Sequence, residues 1–345
     1  MALALLARWF YAHGPAPVTQ NRGGQAGVRV AFRRHPWACF FLVLLGFSQC
    51  KGGAGGNESA MNLLVRDGLG REVRLRGPAH RVVSLSPAMS ESLCAVGCCQ
   101  ALILRDKWSD YPPEVQQRPA IAGFSPSPEA ILAVHPDLVL LHFPPPALRL
   151  ALDQSGVPWL GFAPTTLQQA LGALKVVGQA CGQPMRAEAI AAHLAARSQE
   201  IAERVRAEPQ PTVFLEVDAG GGTRPYTVSR RAFGHDLLTL AGATNVFAQA
   251  GAAWFQVSVE ALLAADPTWI LLADADVPEQ PQSIATLQNR AGFSALAAVR
   301  ARRVAPLTTD WVSRPGPRMV LGQEQMARIL HPIALAGLPS MTEEP

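Results

Sequence analysis

Three tryptophans stand beside polar neighbours in loop-like stretches, and they are the residues of this chain best suited to holding a ligand. They are Trp108 in Lys107-Trp-Ser-Asp-Tyr-Pro-Pro113, Trp254 in Ala253-Trp-Phe255, and Trp311 in Thr309-Asp-Trp-Val-Ser-Arg314. Phe124 in Gly123–Ser127 and Tyr226 in Gly220–Tyr226 extend the aromatic set, and Ser86–Glu91 is one more candidate loop. Aromatic walls with a few polar groups suit a large, partly apolar ligand better than a sugar phosphate or a free metal ion. All three tryptophans are expected outside strands and helices. Asp310 and Arg314 bind a polar ligand edge or pair with each other, and His142 and His235 remain groove contributors to test.

Catalytic patterns are thin. The chain has no Gly-x-Gly-x-x-Gly fingerprint, phosphate-loop lysine, His-Glu-x-x-His or Gly-x-Ser-x-Gly elbow, and Gly220-Gly221-Gly222 is too short for a nucleotide loop. An enzyme is therefore not expected, nor a resident cofactor or metal. Cys94, Cys98, Cys99 and Cys181 lack zinc spacing and read as small buried thiols or one disulfide.

The elements that must position these loops repeat. Ser127-Pro-Glu-Ala-Ile-Leu-Ala-Val-His-Pro-Asp-Leu-Val-Leu-Leu141 and Ser258-Val-Glu-Ala-Leu-Leu-Ala-Ala-Asp-Pro-Thr-Trp-Ile-Leu-Leu272 follow one plan. In each, a serine caps a helix start, and Glu129 or Glu260 suits the positive end of the helix dipole. A proline then stops the helix, and a nearly continuous apolar run reads as a strand covered on both faces. Further strands are expected at Arg81–Leu85, Ala101–Leu104, Gly156–Phe162, Thr212–Val217 and Arg303–Leu307. Helices are expected at Leu167–Ala180 and Pro317–Leu330. From Pro184 to Ala207 the chain has no interior Gly or Pro, and Ala189, Ile190, Ala192, His193, Leu194, Ile201 and Val205 mark an apolar stripe.

The fold class is thus α/β: two similar Rossmann-like lobes joined by a single long helix, with a ligand groove between them. The expected bounds are 80–183 for the first lobe, 184–208 for the connecting helix and 209–337 for the second lobe. A spacer with short strands occupies 51–79 and a tail 338–345.

Charge divides the chain. Residues 1–50 hold five arginines and no acid, while the remainder is close to neutral, so nucleic acid is a poor partner. Arg33-Arg34 followed by the apolar run Trp37–Phe47 has the layout of an export signal, too short to span a bilayer. Residues 1–30 are long for such a leader and suggest an upstream misassigned start. Cys50 stands where the lipidated first residue of a mature lipoprotein would stand, although Phe47-Ser48-Gln49 fits that signal badly. Cleavage to a soluble form is the other reading.

Five segments together resemble the periplasmic binding proteins whose two lobes are joined by one long helix (class III), which serve importers of siderophores, haem and vitamin B12. They are Arg81–Glu91, Trp108–Pro113, Ser127–Leu141, Trp254–Glu260 and Pro306–Arg318, within roughly Arg81 to Pro332. The cobalamin-binding members are the nearest in pattern. The resemblance implies Trp108 and Trp254 as opposite walls around a corrin and Asp310 at a polar ligand edge. It implies Glu129 and Glu260 as exposed carboxylates that dock onto the membrane permease dimer of an ABC transporter. Phe124 stands near another pocket aromatic. The Thr223–Tyr226 loop and Arg230-Arg231 depart from the cobalamin pattern, which keeps an anionic ferric siderophore or haem open. A metal receptor or a nitrogenase-like α/β enzyme is a more distant alternative. The expected protein is periplasmic and monomeric when free.

Overall fold

The computed structural model describes residues 63–121, 126–278 and 281–341. The leader with Cys50, residues 51–62 of the spacer, and Phe124 lie outside the described residues. The chain enters as an antiparallel hairpin of β1 (Leu63–Arg66) and β2 (Glu72–Leu75). The first lobe follows with β3 (Val82–Ser84), α1 (Pro87–Ala95), β4 (Leu102–Asp106), β5 (Ala120–Ile121) and α2 (Pro128–Leu132). It continues with β6 (Leu138–His142), α3 (Pro146–Ser155) and β7 (Trp159–Phe162). Its strands run parallel in the order β5-β4-β3-β6-β7. Every residue of β3 and β7 is buried, as strands covered on both faces require.

Next come α4 (Leu167–Ala180) and the 22-residue α5 (Pro184–Val205). The second lobe contains β8 (Thr212–Glu216), β9 (Tyr226–Val228), α6 (Phe233–Leu240), β10 (Thr244–Asn245) and β11 (Trp254–Gln256). After these come α7 (Val259–Ala265), β12 (Trp269–Leu272), α8 (Ile284–Gln288), α9 (Ala297–Arg300) and β13 (Val304–Pro306). Short α10 (Thr309–Ser313) and α11 (Met319–Leu330) close it. Its parallel sheet is ordered β10-β8-β12-β13, and β9 and β11 form a separate antiparallel ribbon.

Both parallel sheets start at an inner strand and build outward first to one side, then the other. Their switch points fall between β3 and β6 and between β8 and β12, where open α/β sheets bind ligands beyond the strand ends. The repeat is realised as expected. Ser127 accepts the Ala130 amide at 3.3 Å, and Ser258 accepts the Ala261 amide at 3.2 Å.

The hairpin covers the edge of β7. Asp67 accepts the Gly161 amide at 3.0 Å, and Arg71 donates to the Trp159 carbonyl at 2.9 Å with its guanidinium 3.1 Å from the Trp159 ring centroid. An otherwise open β-edge is thereby closed.

The connecting helix α5 is about 33 Å long at helical rise. It is held at both ends. Against α4, a Cβ on Gly178 would come within 2.2 Å of the Ala187 Cβ, so glycine permits that close approach. Against α11, Arg197 pairs with Glu324 at 2.8 Å, and Gln323 donates to the carbonyls of Ser198 at 3.0 Å and Leu240 at 3.1 Å. The buried stripe is Ala187, Ala191, Leu194, Ser198, Ile201 and Val205. The expected stripe is corrected here: Ala189, Ala192 and His193 are exposed, because alanines on every face blur the period.

The cysteines are also corrected. Among the described residues there are two disulfides, Cys94–Cys99 and Cys98–Cys181. The chain leaves α1 through Gly97 at φ 87°, which folds Cys99 back to Cys94, while Cys181 caps the end of α4 beside Cys98. That second proximity is tertiary and leaves no local trace in the sequence.

Candidate functional site

The loop after β4 is fixed from beneath. Buried Asp106 accepts the amides of Trp108 at 2.8 Å and Ser109 at 3.1 Å, and its other oxygen accepts the Ser109 hydroxyl. Ser109, Ser90 and Ser84 continue the chain of hydroxyls at 2.9 Å per step. Burial pushes the Asp106 carboxyl up, against the lowering effect of these hydrogen bonds. Trp108 emerges half-buried, with the Lys107 ammonium 4.6 Å from its ring centroid.

The opposing segment comes from the second lobe after β13. Asp276 accepts the Thr309 amide at 3.2 Å and its hydroxyl, which sets the start of α10 and so the direction of Asp310 and Trp311. The Trp311 indole nitrogen is buried without a hydrogen-bond partner among the described residues.

These two loops meet. From the C-terminal end of α10, Arg314 contacts Asp310 at 2.8 Å, then reaches across to Asp110 at 2.6 Å, Glu91 at 3.1 Å and the Trp108 carbonyl at 3.3 Å. Arg318 grips Glu91 with two bonds of 3.0 and 2.7 Å, and its guanidinium lies 3.9 Å from the Tyr111 ring centroid. A Cβ on Gly316 would stand 3.2 Å from the Ala88 carbonyl oxygen, so the backbones also approach closely here. Burial works to depress the Arg314 guanidinium, but the hydrogen bond to Asp110 and the fields of Asp310 and Glu91 outweigh it and hold it above its ordinary value. Burial raises Asp310, opposed chiefly by Arg314. Of the two readings of Asp310 and Arg314, a ligand edge or a mutual pair, the pair exists, as part of a larger bridge between the lobes. Ser86–Glu91, expected as a groove loop, is corrected: Ser86 is the N-cap and Pro87–Glu91 the first turn of α1, because Pro87 is suited to a first helical position, and nothing local marked Glu91 as the centre of the bridge.

Tyr226 and Trp254 lie on one face of the β9–β11 ribbon, since Trp254 pairs with Val228 and Gln256 with Tyr226. Trp254 packs on Phe233 at 6.0 Å in the first turn of α6. From the same turn Asp236 accepts the Leu167 amide of the first lobe at 2.7 Å, a second seam between the lobes. His235 stands there too, lowered mainly by burial, and half-buried His142 ends β6 with its pKa pushed down by desolvation to about 4. The expectation that all three tryptophans avoid regular elements is corrected for two of them. Trp254 opens a strand and Trp311 sits in a helix, elements of three and five residues that are too short to show a period.

Glu129 and Glu260 are exposed at the starts of α2 and α7 and take no part in the bridge. The Ser127 hydroxyl bonds Glu129 at 2.5 Å and lowers its carboxyl, while Glu260 is lowered first by its own backbone amide and then by Ser258.

Among the described residues, the one cluster with metal-ligand proximity is Cys94, Cys99 and Glu114, and its two sulfurs are joined in a disulfide. A cavity of roughly 270 Å³ beside Cys98 and Cys181 shares no residue with the bridge. No helix among the described residues is long and apolar enough to cross a membrane.

Residues 82–310 match the periplasmic binding protein family. The vitamin B12-binding protein of Pectobacterium carotovorum is 31% identical over 252 residues, covering 72% of this chain and 87% of that protein. The solved periplasmic vitamin B12-binding protein of Vibrio cholerae superposes with a TM-score of 0.66 at 25% identity, covering 75% of this chain and 99% of that one. The periplasmic heme-binding protein of Roseiflexus superposes equally well, with a TM-score of 0.67 at 26% identity over 75% of this chain and all of its own. With two parallel α/β lobes on one long helix and a family match across both, this chain belongs to the helical-linker class of periplasmic binding proteins, carriers and not enzymes, which hand a small molecule to the permease of an ABC importer.

Proposed function

We propose that the cargo is a corrinoid, seated between the lobes against Trp108, Tyr226, Trp254 and Trp311, with Asp310 and Arg314 at its polar edge. Phe124, which lies outside the described residues, is proposed as a further contact of the same cargo. The observation that carries this reading is the tie between the Trp108 loop and the Asp310–Arg314 segment: one arginine bonds both and fixes an aromatic from each lobe at the same seam. Flat apolar rings bordered by a few polar groups match a macrocycle with a polar rim. The similarity to vitamin B12-binding proteins supports it. A ferric siderophore or haem is the second reading, favoured by the exposed Arg230 and Arg231 at the turn into α6.

Residues 80–183 and 209–337 serve as the two lobes, with 184–208 between them. Glu129 and Glu260, on equivalent helix starts, dock onto basic residues of the permease dimer, steering association more than adding affinity. The receptor works as a monomer in the periplasm, either tethered through a lipid on Cys50 or cleaved and released.

Calorimetric titration of leader-free protein with cyanocobalamin, haem and ferric siderophores tests the cargo. Tight corrinoid binding is expected; none, alongside tight binding of a siderophore or haem, overturns the reading. Glu129→Lys with Glu260→Lys is expected to cut uptake while leaving cargo affinity unchanged.

A further inference from the structure

The bridge between the lobes has an uneven charge arrangement. Two guanidiniums, Arg314 and Arg318, face three carboxylates, Glu91, Asp110 and Asp310. The positive side chains are the covered ones, 13% and 7% exposed, and Glu91 between them is 3% exposed. Asp110 at 49% and Asp310 at 33% form the outer edge. A ligand arriving at this seam meets carboxylate oxygens first, and the arginines behind them are already engaged.

We propose that Glu91, assisted by Asp110, sets the charge selectivity of the groove. By holding Arg314 and Arg318 it denies both guanidiniums to an anionic cargo, and it leaves a hydrogen-bond-accepting edge for a neutral cargo that donates N–H groups. This rests on the reading that cargo sits between the lobes. The periphery of a corrinoid carries primary amides, which donate to carboxylates. At this seam a tris-catecholate iron complex or the propionates of haem would place anion against anion and find both arginines of the bridge already engaged. Selectivity built from a repelling group is as effective as selectivity built from an attracting one. Like charges brought together out of bulk water are costly enough to exclude a partner.

The test measures affinity for cyanocobalamin, for haem and for a ferric tris-catecholate in the wild type, Glu91→Gln and Asp110→Asn. Glu91→Gln keeps the shape and one oxygen acceptor. Asp110→Asn alters an exposed residue and carries the test if the first variant folds poorly. Both variants are expected to gain about tenfold or more for the anionic ligands, the scale of one close charge pair, with the gain shrinking at high salt. Anion affinity unchanged in both variants overturns the inference, even where the wild type binds corrinoid. Tight binding of an anionic ligand by the wild type overturns it together with the corrinoid reading. A wild type that binds no corrinoid, with variants that gain anion affinity, supports the inference while the corrinoid reading falls.

Discussion

Glu91 and Arg318 form a two-bond ion pair from opposite lobes, at 3.0 and 2.7 Å, with both side chains nearly closed to water. Removing one member of such a pair leaves a buried charge behind. Arg318→Ala is therefore expected to cost about 3 kcal/mol, softened from the upper end because Arg314 also holds Glu91. Glu91→Leu combined with Arg318→Leu should recover much of that loss, since no charge is then stranded. Thermal unfolding of the two variants beside the wild type checks this. A single-variant loss below about 1 kcal/mol, the scale of an exposed pair, would show that water reaches the bridge.

Asp276 contacts the amide and hydroxyl of Thr309 and so orients α10 with Asp310 and Trp311. Asp276→Ala is expected to weaken cargo binding by about tenfold, while global stability falls only by about 1 kcal/mol, the worth of a lost cap. Asp276→Asn, which keeps an acceptor, should rescue part of the affinity. Titration beside Trp311 fluorescence separates this from general unfolding. Equal loss of affinity and stability would assign Asp276 a structural role alone.

The two disulfides close loops of very different length, with partners 5 and 83 residues apart. Loop-closure entropy gives roughly 2 kcal/mol for the short one and roughly 4.5 for the long one. Cys181→Ser paired with Cys98→Ser should thus destabilise the protein far more than Cys94→Ser paired with Cys99→Ser. Denaturant midpoints of the two double variants decide the ranking, and the reverse order would refute it.

Asp274 lies in the turn just after the switch-point strand β12, and burial, reinforced by Glu216 and Asp218 and opposed by Arg290, pushes its carboxyl up to about 8. One of its oxygens is buried without a partner among the described residues. A carboxyl raised on folding contributes stability that is complete below about pH 4, its unfolded range, and is lost as pH rises through about 8. Asp274→Asn removes that titration. The variant is expected to unfold at a higher temperature than the wild type at pH 9, by roughly 2–4 °C for each kcal/mol relieved. Identical pH profiles for the two proteins would exclude Asp274 as the titrating group.

The sheets and the long helix were legible because their signals are local. The Ser-x-Glu…Pro repeat fixes α2–β6 and α7–β12 through caps, breakers and apolar runs. Leu167–Ala180 is a helix at the bounds its sequence implies. The aromatic residues were legible as site candidates from type and neighbourhood. Glu91, Asp276 and the Cys98–Cys181 pairing were not, because each role depends on a partner brought near only by the fold. Arg318 is 227 residues from Glu91, and no pattern in a single sequence links them.

The connecting helix sets a limit on what this receptor can communicate. Leu194, Ile201 and Val205 lie in the same core cluster as Leu174 below and Val320 and Met326 above, so swinging one lobe away from the other would strip apolar surface from both. A molecule held this way has nearly one outline whether laden or empty. If Glu129 and Glu260 dock as proposed, their spacing carries no message about loading, and the permease would have to sense the cargo at the mouth of the groove itself.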